Sequence, residues 1–84
     1  MNTKSAICVF QAHKKGIHVD LEIPLDISAN DLVIALNVTY DLGIDTTNIK
    51  NCYLKVENPI ALLKGNKSLA EFGLHNGSVI NFTE

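Results

Sequence analysis

The stretch Ile17-His18-Val19-Asp20-Leu21-Glu22-Ile23-Pro24-Leu25-Asp26-Ile27-Ser28-Ala29-Asn30-Asp31-Leu32 changes its hydrophobic period half-way along, and that change decides the fold class. Up to Pro24 apolar and polar residues alternate strictly, the period of a strand with one buried and one wet face. Pro24 offers no ladder donor and suits a strand terminus. Beyond Ser28 the apolar positions recur at three- and four-residue steps, predicting a helix over about 29–42 with Leu32, Ala35, Leu36 and Thr39 as its core stripe. Ser28 and Asp31 form the ends of a capping box, and Asp31 also suits the positive end of the helix dipole. Gly43 supplies the left-handed stop. A strand feeding one capped helix implies a sheet and a helix that bury each other's apolar faces.

Upstream, residues 4–12 are rich in β-branched and aromatic side chains and read as a first strand. His13-Lys14-Lys15-Gly16 between the two runs is a hairpin turn. Downstream, residues 44–51 are a polar connection with a short turn capped by Thr46 or Thr47. Cys52, Leu54 and Val56 alternate with Tyr53, Lys55 and Glu57 in a third strand, which Asn58-Pro59 ends. Ile60–Leu63 is a short strand, Leu69–Gly73 a helical turn, and Asn76-Gly77 a tight turn before a last strand over Ser78–Thr83. The expected architecture is α+β: a mixed five-stranded sheet packed on one helix, with residues 1–84 forming one domain.

Bulk properties narrow the function. The chain has 84 residues, 46% apolar and 19% charged, enough for one modest core. Its net charge is −2, and its seven cations are all Lys and scattered, so the basic stripe of a nucleic-acid binder is missing. No apolar run approaches the length of a membrane span. Met1-Asn2-Thr3-Lys4 leads straight into a strand without a signal-peptide h-region, so the expected location is the cytoplasm. Cys8 and Cys52 are expected as free thiols in that reducing compartment.

The element order and spacing resemble the ubiquitin-like β-grasp superfold. The residues that carry the likeness are the hairpin through Gly16, the helix soon after Pro24, and the closing stretch Leu69-Ala70-Glu71-Phe72-Gly73-Leu74-His75-Asn76-Gly77-Ser78-Val79-Ile80. More narrowly, Asp20-Leu21-Glu22-Ile23-Pro24 and Gly73–Ile80 resemble the YukD/EsaB family. These are small ubiquitin-like proteins of the type VII (WXG100) secretion systems of Gram-positive bacteria. The likeness runs from about Lys4 to Phe82. It implies a non-conjugated accessory or regulatory protein that binds protein parts of the secretion machine, with no catalytic residue and no cofactor. The alternative within the fold is a sulfur or acyl carrier. Such carriers, like conjugating ubiquitins, end in Gly-Gly, because a narrow enzyme channel admits only a backbone without Cβ. This sequence closes on Asn81-Phe82-Thr83-Glu84, so a carrier role is not expected.

Sites follow from strand parity. Taking Ile7 and Val9 as the inward pair of the first strand turns Ala6, Cys8 and Phe10 outward. It also sets the two sulfurs on opposite faces, with Cys52 buried. The first, last and third strands are neighbours in a β-grasp sheet. The expected partner-binding face is therefore Cys8, Phe10, Tyr53, Lys55 and Val79. Ubiquitin presents an apolar residue near the place of Lys55, so its receptors are not expected to recognise this surface. His13, His18 and His75 fall in separate segments without metal-ligand spacing, and no catalytic or metal site is expected. The edge beside residues 17–24 is a second candidate, for an added strand of a partner, but His18, Asp20 and Glu22 make its outer face polar, as natural edges do against aggregation, and no binding is expected there.

Overall fold

The computed structural model describes residues 4–48 and 50–83. Met1–Thr3, Ile49 and Glu84 lie outside the described residues, and with them the expectations placed on the first three residues and on Glu84.

β1 (Ser5–Ala12) and β2 (Ile17–Pro24) pair antiparallel, Ala12 opposite Ile17 and Ser5 opposite Pro24. A single 3₁₀ turn, His13–Lys15, joins them and closes on Gly16 at φ 68°, a left-handed conformation that costs glycine little. α1 (Ala29–Tyr40) follows. Then come β3 (Leu54–Glu57), β4 (Ala61–Leu63) and β5 (Val79–Asn81). The sheet order is β2-β1-β5-β3-β4, with β1 and β5 parallel and the other pairs antiparallel. This is the expected mixed five-stranded sheet, with first, last and third strands adjacent.

Alternation holds along β2. His18, Asp20 and Glu22 are exposed, while Ile17, Val19, Leu21 and Ile23 pack toward the core. On β1 the expected parity is reversed. Ala6, Cys8, Phe10 and Ala12 are buried, and Ile7 is 47% exposed. Residues directly opposite in an antiparallel pair share a face. Phe10 faces Val19 and Cys8 faces Leu21, so β2's alternation dictates that of β1. Phe10 has no exposed surface, and its ring lies 5.1 Å from that of Tyr40 on α1. The two sulfurs consequently share the core rather than flanking the sheet, and both are free thiols.

The helix begins as expected, with Asp31 N–H donating to Ser28 Oγ at 3.0 Å. Its buried stripe is Ala29, Leu32, Val33 and Leu36, whereas Ala35 and Thr39 face outward, contrary to expectation. Val33 rather than Ala35 completes the three- and four-residue steps from Ala29. The helix also stops earlier, at Tyr40, because Asp41 takes the left-handed cap at φ 52°. Asn37 then clamps the exiting chain: its side-chain amide donates to Ile44 O at 3.1 Å and accepts from Ile44 N–H at 2.8 Å.

The closing stretch is pinned as a unit. Ser68 and Glu71 form a reciprocal capping box: Glu71 N–H donates to Ser68 Oγ and Ser68 N–H to Glu71 Oε2. Leu69 and Leu74 are buried, and Phe72 packs half-buried against the core. Ser78, the one buried polar residue in the described core, donates to Asn58 O at 2.6 Å and accepts from His75 N–H at 3.1 Å. Gly77 N–H donates to Ile7 O, which seats the turn on β1 ahead of β5. No helix among the described residues is long and apolar enough to cross a membrane.

Candidate functional site

The outer face of the sheet, opposite α1, is built by register. One row runs His18, Gln11, Asn81, Lys55 and Leu62 across β2, β1, β5, β3 and β4. The next runs Asp20, Val9, Val79 and Glu57. Short polar links brace both rows: Gln11 Nε2 donates to Asn81 Oδ1 at 3.1 Å, and Asn81 Nδ2 to Glu57 Oε2 at 2.7 Å. Apolar surface surrounds this ladder. Ile7 is exposed, Val9 and Val79 are half-buried, Leu62 is 44% exposed, and Ile60, just ahead of β4, is 91% exposed.

Two shallow depressions meet at Lys55 and Asn81. One, of about 310 Å³, is lined by Tyr53, Ile44, Asp45 and Phe82. The other, of about 520 Å³, is lined by Gln11, His13, Glu57, Ile60 and Leu62. At the rim of the first, Asp45 Oδ1 accepts from Thr47 Oγ1 and from Thr47 N–H, which together hold its carboxyl below the usual carboxylate range. Asp45 is thus the acceptor that caps the turn where Thr46 or Thr47 was expected. The outer face thus mixes exposed apolar side chains with the fixed polar groups of Gln11, Asn81, Glu57 and Lys55.

Of the expected face, Tyr53 and Lys55 line the same depression, and Val79 lies one row away. Cys8 and Phe10 are not part of it; they are core residues on the other side of the sheet. Their places belong to Ile7, Val9 and Gln11. The signal for this was in the hairpin: a four-residue link that pairs Ala12 with Ile17 also pairs Phe10 with Val19, whose inward direction is unambiguous. Leu62 was missed because the three residues of β4 are too few to display a period, and Ile60 lies just ahead of that strand.

Neither thiol has the surroundings of a nucleophile. Burial pushes the Cys8 thiol up. Burial, and then the charge of Asp45, push Cys52 up. Activated cysteines are shifted the opposite way. His75 Nδ1 lies 2.8 Å from Asn76 O on an exposed turn. Among the described residues no three His, Cys, Asp or Glu side chains gather as metal ligands would.

Residues 7–81 match the family described as the WXG100 protein secretion system (Wss) protein YukD. The chain belongs to the YukD family. Its fold has solved counterparts outside that family. The solution structure of a ubiquitin-like domain from tubulin-binding cofactor B matches with TM-score 0.74 at 19% identity, covering 95% of this chain and 89% of that one. The C-terminal ubiquitin-like domain of mouse tubulin-specific chaperone e matches with TM-score 0.72 at 10% identity, covering 100% and 92%. The crystal structure of the Plasmodium falciparum Dsk2 UBL domain matches with TM-score 0.60 at 17% identity, covering 95% and 100%. At these identities the likeness is one of fold, and it makes this YukD-family chain ubiquitin-like in architecture. No curated protein sequence matches the chain.

Proposed function

We propose that the chain is a non-conjugated accessory protein of a Gram-positive type VII secretion machine. It works in the cytoplasm as one ubiquitin-like unit and binds a protein part of that machine through the outer face of its sheet, without catalysis. The observation that carries this is the outer face itself, where Ile7, Val9, Val79, Ile60 and Leu62 surround an ordered Gln11–Asn81–Glu57 ladder with Lys55 and Tyr53 beside it. A face built this way offers apolar contact area and fixed hydrogen-bonding groups together, as the centres of protein interfaces do. Membership in the YukD family supports the setting. The buried thiols, both shifted away from reactivity, support binding over chemistry.

The test is a paired substitution, Leu62→Lys with Val79→Lys. Both residues stand on the outer face away from the core, so urea midpoints should stay near that of the parent. Capture of cytoplasmic components of the secretion machine from the native host should fall sharply, and secretion with it. Undiminished capture by a folded variant rejects this face. A thiocarboxylate or covalent adduct on protein purified from the host, seen by mass spectrometry, rejects the non-conjugated role.

A further inference from the structure

Asn76 is the only Asn in the sequence that is followed by Gly. The side-chain carbon of an Asn is open to attack by the next backbone nitrogen. A glycine there leaves that nitrogen unhindered and its backbone free to bend. In the reaction Gly77 N bonds to Asn76 Cγ, the bond from Cγ to the side-chain nitrogen breaks, and ammonia leaves with the proton of Gly77 N–H. Water then opens the resulting succinimide at either carbonyl and gives aspartate or isoaspartate.

The fold holds both reacting groups on one residue. Asn76 Oδ1 accepts from Ile7 N–H at 2.8 Å, and Gly77 N–H donates to Ile7 O at 3.0 Å. Asn76 and Gly77 are exposed, so burial does not keep water or base away from them. Position is what protects them. Ring closure needs Asn76 Cγ to swing onto Gly77 N and needs Gly77 N–H to release its proton, and the two hydrogen bonds to Ile7 oppose both. The clamp adjoins the place where β5 meets β1: Val9 N–H donates to Ser78 O at 2.9 Å, and Val79 stands opposite Val9. Releasing Ile7 is therefore part of lifting the start of β5, a local opening of the kind that exchanges without global unfolding.

We propose that Asn76 is a deamidation site closed by the seating of β5 on β1. It reacts in molecules whose closing stretch has lifted from Ile7, and the isoaspartate product then bars reseating. Isoaspartate routes the main chain through the former side-chain carbon and adds one backbone atom before Gly77. The donor and the acceptor that met Ile7 O and Ile7 N–H then fall out of register. Aspartate keeps the main chain and the acceptor. A chain carrying isoaspartate loses the seating of Val79 and Asn81, which the sheet-face reading needs, although the deamidation itself does not depend on that reading.

The experiment incubates the folded full chain beside the same chain unfolded in urea and a synthetic peptide of residues 73–80. Peptide mapping by mass spectrometry follows deamidation at Asn76. The unfolded chain and the peptide should react alike, and the folded chain slower by about tenfold or more. Ile80→Val loosens β5 without touching the reacting residues and should speed the folded reaction by about two- to tenfold. Urea just below the unfolding midpoint should speed the parent in the same way. Asn76→Asp should keep a urea midpoint near that of the parent. The chain carrying isoaspartate at position 76, isolated after reaction in urea, should refold with a clearly lower midpoint or with no transition. The proposal is overturned if the folded chain reacts as fast as the peptide, or if neither Ile80→Val nor sub-denaturing urea speeds it. Refolding of the isoaspartate chain with the parent midpoint also overturns it, as does an Asn76→Asp protein destabilised to the same extent.

Discussion

Phe10 is the residue on which most of the core turns. It has no exposed surface, stacks tilted on Tyr40, and pairs with Val19 and Ile80 on the two neighbouring strands. Phe10→Ala should cost about 3–5 kcal/mol. Against a total stability of about 5–15 kcal/mol for a domain this size, that is a large fraction of the margin, and a urea titration followed by circular dichroism reads it directly. A folded Phe10→Asp protein would contradict the placement. Cys8 and Cys52 give a second check. Each thiol is held above its ordinary value of about 9 by burial, most simply in Cys8. Below that pH both folded and unfolded chains carry neutral thiols. Above it the unfolded chain releases protons that the folded chain retains, so stability falls as pH rises. Urea midpoints should decline above pH about 9 less steeply in a Cys8→Ala, Cys52→Ala variant, and neither thiol should be alkylated rapidly before unfolding.

Among the elements, α1 shows how a local optimum and the native state differ. Its start obeys local chemistry, Ser28 capping Asp31. Its end does not, because Asp41 stops the helix in a left-handed conformation two residues before Gly43, which is also left-handed at φ 76°. Asp41→Gly should therefore raise stability by about 1 kcal/mol, from easier backbone geometry and removal of an unfavourable charge. A thermal melt showing no gain would mean that Asp41 makes a stabilising contact within the chain. The turn over Ser68–Glu71 shows the reverse case. Its Ser-x-x-Glu pattern is a complete local signal, realised in both hydrogen bonds. Of the outer sheet face proposed for binding, the outward direction of Tyr53, Lys55 and Val79 was legible in the alternation of their segments. Ile7 and Val9 were not, because β1 is apolar on both sides and gives no parity of its own.

The molecule as a whole is held together by its last strand. β5 lies between β1 and β3, parallel to one and antiparallel to the other, and Ile80 is completely buried. Removing it leaves two hairpins with unpaired inner edges. A chain cut after Gly77 should show no cooperative melt by calorimetry, and a sharp transition in that fragment would show that the hairpins and α1 suffice. Such long-range closure cannot be seen in any one segment. The alternation over residues 17–23, the Ser28 cap and the turn glycines carry local information, and they were enough to specify one helix against a mixed sheet. The outward turn of Ala35 and Thr39 is set by how α1 docks on the sheet, and the direction of β1 and the meeting of Lys55, Asn81 and Leu62 depend on which strand lies beside which. Tertiary pairing decides these, because an apolar residue in a strand is equally content on either face until its neighbours establish which side is the core.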